Sequence, residues 1–223
     1  MLWCRLIHWT RLDVVDNGQA MRAITWFIPA LLVSNLATAY IVKKNSTNPY
    51  RDMTNAMLSM SRPGGPFVVI IGDSLTNNAD FPSQICGYRT INMGIDGAKA
   101  STFIPYAEQM SFSNLHPSLV VVALGVNDAI QTGGSDFKES LELLLRNLPR
   151  SPLALTTVFQ NVPSSDTIND EIRKAANRKG ATLIETEKLG ILTSDGVHPT
   201  HASQPTWETA IVTAIKRGLG CSD

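Results

Sequence analysis

Residues 66–75 read PFVVIIGDSL, and the parsing of this string decides the architecture. A strand with one wet face alternates apolar and polar residues. The unbroken run Val68, Val69, Ile70 and Ile71 therefore predicts a strand over Pro66 to Ile71 buried on both faces, as in parallel sheets. Gly72-Asp73-Ser74 ends the run. Asp73 is expected to serve the turn by accepting nearby backbone N–H groups, which leaves Ser74 at the carboxyl end of the strand.

The same doubly buried signal recurs in Ser118 to Leu124 (SLVVVAL), with further strands expected at Tyr88 to Asn92, Leu153 to Val158 and Ala181 to Ile184. Helices are expected between them. Phe81 to Cys86 reads as a short one, with Pro82 in its first turn and Gly87 past its end. A second begins at Asp136 as N-cap and shows Phe137, Leu141, Leu144, Leu145 and Leu148 on one face. A third runs from about Thr167 to Lys179, and a last begins near Pro205 with Trp207, Ile211, Ala214 and Ile215 on one side. Such alternation implies an α/β fold with a parallel sheet covered on both faces.

In such sheets a ligand site lies beyond the carboxyl ends of the strands. Ser74, Gly94 and Asn127 each follow a strand there, and the long loop before the last helix returns Asp195 and His198 to the same rim. The chemistry of these residues is mutually consistent. A serine hydroxyl needs a base within hydrogen-bond reach, and His198 is the candidate, with Asp195 orienting its ring. The Ser74 N–H, the Gly94 N–H and the Asn127 amide are candidate donors to a developing oxyanion. Each string taken singly has a plainer reading as a turn or a cap. Their conjunction favours the catalytic one.

Gly72-Asp73-Ser74-Leu75, Gly94, Asn127 and Asp195-x-x-His198 resemble, in order, the four signature blocks of the SGNH hydrolases, also called GDSL lipases and esterases. The likeness spans roughly Phe67 to Leu219. It implies a three-layer α/β/α flavodoxin-like fold with a five-stranded parallel sheet and hydrolysis of acyl or acetyl esters, with no cofactor. Thr76 replaces the second glycine of a G-x-S-x-G elbow, so the chain does not resemble an ordinary α/β-hydrolase. In the implied fold the first and last helices lie side by side, which places Cys86 near Cys221 and suggests a disulfide between them.

The chain has 223 residues and a formal net charge of zero, which leaves no electrostatic footprint for nucleic acid. Only 17% of residues are charged, and part of the deficit lies in Ala23 to Val42, which carries no charge. Read from Met21, this stretch has a basic start, an apolar run and the small-x-small string Ala37-Thr38-Ala39, the pattern of a cleaved export signal. An uncleaved membrane anchor is the alternative, and a buried helix is disfavoured by Pro29 and the lack of a polar face. The expected organisation is a targeting segment at 1–39, a lead-in at 40–65 with a short helix at Met53 to Met60, and a hydrolase domain at 66–223, acting as an exported monomer.

Other classes are weighed against this. His198, His201 and Asp195 offer too few clustered ligands for a zinc hydrolase, so no metal is expected. A non-catalytic carbohydrate-binding protein would have no need of Ser74, Asn127 and His198 together. An acyltransferase would use the same site with a glycan hydroxyl in place of water. The loops Asp96 to Tyr106, Ala129 to Gly134 and Phe159 to Ser165, with Phe103, Ile104, Tyr106, Ile130 and Phe159, are expected to line an open site for a small-molecule, glycan or lipid ester.

Overall fold

In the computed structural model, which describes residues 49–62, 64–159 and 161–221, the run Phe67–Gly72 is strand β1, and all its residues are buried. Two further parallel strands flank it, β3 (Tyr88–Gly94) and β4 (Leu119–Ala123), with Gly72 in register with Gly94 on one side and Ala123 on the other. Beyond β4 lie β5 (Leu153–Thr156) and β6 (Thr182–Ile184), also parallel. Val68 to Ile71, Val120 and Val121 have no exposed surface, as expected of central strands covered on both faces.

The sheet has six strands rather than five, in the order β2-β3-β1-β4-β5-β6. The extra one, β2 (Gln84–Ile85), pairs antiparallel with the start of β3. It occupies the stretch read from sequence as a helix over Phe81 to Cys86. Cys86 and Gly87 have φ of +53° and +80°, the two left-handed positions of a tight hairpin turn, and these join β2 to β3 directly. The proline and glycine that resemble helix boundaries are here parts of a strand connection.

Helices α1 (Pro49–Ser61), α2 (Ser74–Asn77), α3 (Ile104–Phe112), α4 (Val126–Thr132), α5 (Phe137–Asn147), α6 (Ser165–Lys179) and α7 (Gln204–Leu219) flank the sheet in a three-layer α/β/α arrangement. The apolar faces predicted for α5 and α7 are buried as expected. Gly180 ends α6 in the left-handed conformation. Helices α3 and α4 occupy parts of the segments expected to be rim loops, and Phe103 and Phe159, expected to line the site, are buried in the core instead. Met53, Ala56, Met57 and Met60 of α1 join that core, which thus takes in part of the segment read as a lead-in. The signal or anchor reading of Met21 to Ala39 falls outside the described residues. Among the described residues no helix is long and apolar enough to cross a membrane.

Cys86 and Cys221 form a disulfide with Cα atoms 6.4 Å apart. The pairing holds although Cys86 lies in the β2–β3 turn rather than at a helix end, because α7 packs against β2. Gly220 reverses the chain there, with its N–H on the Arg217 carbonyl and that of Cys221 on the Lys216 carbonyl, a Schellman closure. The bond closes a loop of 135 residues and lies at the opposite end of the strands from the rim. Cys221→Ser is expected to lower stability by about 2–4 kcal/mol. Urea unfolding with and without reductant checks this, since reductant should bring the native chain down to the variant and leave the variant unchanged.

Candidate active site

Asp73 caps α2, its Oδ1 accepting from the Leu75 N–H at 2.9 Å, and Ser74 is the first residue of the helix. The Ser74 N–H is one of the helix-start donors that have no partner within the helix. The turn lies unusually close to the sheet. A Cβ on Gly72 would fall 1.9 Å from Thr76 Oγ1, and one on Gly94 would fall 2.2 Å from the Asn77 nitrogen. Gly94 is therefore needed so that β3 can approach α2. Its N–H donates to Asn92 Oδ1 at 2.8 Å, while Asn92 Nδ2 donates to the Thr76 carbonyl at 2.8 Å.

Asp195 and His198 sit on a small hairpin in the β6–α7 loop. Thr193 bridges Pro199, and the Ser194 and Thr200 N–H groups donate to the carbonyls of His198 and Leu192. Asp195 Oδ1 accepts from the Val197 and His198 N–H groups at 3.0 and 2.7 Å, and its Oδ2 lies 2.7 Å from His198 Nδ1. These bonds, that from the His198 N–H foremost, hold the Asp195 carboxyl well below the usual carboxylate range. Ring nitrogen Nε2 of His198 is 2.9 Å from Ser74 Oγ. A hydroxyl, an imidazole and an ionised carboxylate thus form one hydrogen-bonded line, able to take a proton from Ser74 and return it.

Asn127 lies in the first turn of α4. Its Nδ2 donates to the Ala98 carbonyl at 3.1 Å and its Oδ1 accepts from Gln131 Nε2 at 3.3 Å, an arrangement that orients the amide and leaves its second N–H uncommitted. Next to Ala98, exposed Gly97 has φ of +71°, and its N–H donates to no acceptor among the described residues. His201 is exposed in the turn before α7. Among the described residues no three His, Cys, Asp or Glu side chains gather as a metal site.

No protein-family model and no curated protein matches the chain. Solved structures do. A member of the lipolytic protein G-D-S-L family from Veillonella parvula DSM 2008 matches with a TM-score of 0.56 at 16% identity, over 69% of this chain and all of that one. An acetylxylan esterase from Geobacillus stearothermophilus, solved as a catalytic mutant, gives 0.56 at 18% identity over 72% of this chain and 97% of its own. The chain has the GDSL esterase fold. The psychrotrophic esterase EstA from Pseudoalteromonas sp. matches at 0.54 and 17% identity, over 70% of this chain and the whole of its own.

Two buried carboxylates brace this GDSL-type rim, and neither role could be assigned fully from sequence. Asp128 is 2% exposed, and its carboxylate accepts from the Ala100 N–H. It ties the start of the 3₁₀ turn Ala100–Phe103 to α4 and so fixes Gly97 and Ala98 opposite Asn127. On the far side Asn161 does the comparable task for the hairpin, its Nδ2 donating to Thr193 Oγ1 at 2.7 Å and the Gly196 carbonyl at 3.0 Å.

The second buried carboxylate is Asp73, 1% exposed, whose Oδ2 has no partner among the described residues. Desolvation pushes its pKa up to about 7, against the opposing pull of the Leu75 N–H and of His198. With the folded pKa above the unfolded value, the folded state holds more protons between about pH 4 and pH 7, so the contribution of Asp73 to stability is lost as pH rises through that window. Asp73→Asn retains an oxygen for the Leu75 N–H and abolishes the titration. The melting temperature of Asp73→Asn minus that of the native chain is expected to increase from pH 4 to pH 8. A difference that stays constant with pH would refute the assignment.

Proposed function

We propose that the chain is a serine esterase of the SGNH hydrolase family, acting on acyl or acetyl esters through an acyl-enzyme. The continuous hydrogen-bonded line from Ser74 Oγ through His198 to Asp195 carries this reading. Ser74 Oγ attacks the ester carbonyl carbon as His198 Nε2 takes its proton, and Asp195 stabilises the resulting imidazolium. The carbonyl oxygen, now negative, accepts hydrogen bonds from the Ser74 N–H, the Asn127 amide and a glycine N–H. Collapse breaks the bond to the alcohol oxygen, which leaves with the proton from Nε2. Water repeats the sequence, losing a proton to His198 and releasing the acid and free Ser74.

One observation favours a refinement of the oxyanion donors. Gly94, the glycine that the resemblance assigns to this role, already donates its N–H to Asn92, whereas that of Gly97 is free beside the loop that Asn127 grips. We assign the glycine donor to Gly97 and a packing role to Gly94. Export of the chain, as a cleaved or an anchored form, is supported by the Cys86–Cys221 bond, because disulfides persist in oxidising compartments. Ser74, Asn127, Asp195 and His198 all come from one chain, so a monomer carries a complete site.

With short-chain p-nitrophenyl esters, Ser74→Ala and His198→Ala are expected to reduce kcat by more than about 1,000-fold. Asn127→Ala should cost about 100- to 1,000-fold with little change in KM, as removal of an oxyanion donor does. Asp195→Asn is expected to cost less than Ser74→Ala, because Oδ1 can still hold the hairpin. Turnover that survives Ser74→Ala would overturn the proposal.

A further inference from the structure

The hydrogen bond between Ser74 and His198 has a companion that joins the same two parts of the chain. In the stretch that follows α2, the Asp80 N–H donates to Glu208 Oε1 on α7 at 3.0 Å. The same oxygen accepts from Gln204 Nε2, one helical turn earlier, at 2.9 Å. Glu208 is half-buried, and the bond from Gln204 holds its side chain toward Asp80. The neighbouring residues strengthen the contact. Phe81 and Trp207 pack with ring centroids 5.9 Å apart, and buried Trp207 lines a small cavity together with Leu75, the residue after Ser74.

The first turn of α7 is joined in the other direction to the hairpin that carries the base. The Thr200 carbonyl accepts from the Ser203 and Gln204 N–H groups at 2.9 Å, and the Thr200 N–H closes the hairpin stem on the Leu192 carbonyl. Ser203 Oγ accepts from the Leu192 N–H at 3.1 Å. Ser74 and His198 are thus linked by two routes. One is their own hydrogen bond, across 124 residues of sequence. The other runs from Ser74 along α2 to Asp80, crosses to Glu208 over 128 residues, and returns through the start of α7 to His198. This second route closes a ring of contacts, and its span bears on how far apart the hydroxyl and the imidazole stand.

We infer that Glu208 is a positioning residue of the esterase reaction, bracing the Ser74 turn against the helix that follows the His198 hairpin so that Ser74 Oγ stays within reach of Nε2. The inference rests on the esterase reading of Ser74. Glu208 touches neither the substrate nor the reacting atoms, and it moves no proton. His198 serves Ser74 in acylation and water in deacylation, so a loss of alignment slows both steps together. The effect therefore falls on kcat and leaves KM unchanged.

The test compares the native chain with Glu208→Met, Glu208→Gln and Asp80→Pro on p-nitrophenyl acetate, with kcat expressed per active site. Sites are counted by reaction to completion with diethyl p-nitrophenyl phosphate, in which Ser74 Oγ bonds to phosphorus and one p-nitrophenolate leaves. Glu208→Met keeps the length and helix propensity of the side chain but offers Asp80 no oxygen. It is expected to lower per-site kcat about 10- to 100-fold with KM within about twofold, the scale of a small misplacement of reacting groups. Glu208→Gln retains an acceptor oxygen and should keep kcat within about threefold of the native value. Asp80→Pro removes the donor and leaves α7 as it is, so it should reproduce the loss even if Glu208→Met folds poorly. A residue that only held the fold together would lower the number of titrated sites and leave per-site kcat alone. That result, or a loss as large in Glu208→Gln as in Glu208→Met, would overturn the brace. Absence of Ser74-dependent turnover in the native chain instead removes the esterase reading beneath it.

Discussion

The close apposition of helix α2 to the ends of β1 and β3 is the constraint on which the rim depends. Two absent Cβ atoms permit it, at Gly72 and Gly94, where any side chain would meet α2 well inside contact distance. With the turn held there and capped by Asp73, Ser74 projects from the first turn of a helix. Its N–H is then left without a helical partner, and its hydroxyl stands where the β6–α7 hairpin can reach it. Moving α2 outward by the width of a methyl group would separate Ser74 from His198, because their contact is a single hydrogen bond.

The supporting arrangement distributes rigidity unequally. On one side Asp128, Asn127 and Gln131 bind the Gly97–Ala98 segment to α4. On the other, Asn161 grips the hairpin, and buried Asn169 in turn holds Val158 through both its N–H and its carbonyl. Polar side chains thus do locally what backbone pairing does within the sheet. Asp73 stands apart from these, since it is buried, next to Ser74, with an oxygen that has no partner among the described residues.

Most of the sheet was legible because buried parallel strands are unbroken apolar runs, and β1 and β4 are read to within a residue. Helices α5, α6 and α7 were legible from periodicity and from Gly180. Phe81 to Cys86 was misread because a proline and a glycine mark both a helix and a hairpin, and only the left-handed φ of Cys86 separates the two. Helix α3 was missed because its buried residues, Ala107 and Met110, are too few to make a stripe. Ser74, Asn127, Asp195 and His198 were legible because each sits in a short local string. Asn161 was not, because its surroundings are made by loops from distant strands. Gly94 was recognisable as a required glycine, but sequence could not tell whether its missing Cβ faced a ligand or the chain's own backbone.

The hairpin satisfies both oxygens of Asp195 within three residues, so the Asp195–His198 pair is set locally, with Asn161 bracing the hairpin from outside. The contact of that pair with Ser74 spans 124 residues. Under the proposed mechanism, Ser74 has its base only in a chain whose β6–α7 hairpin is docked against α2.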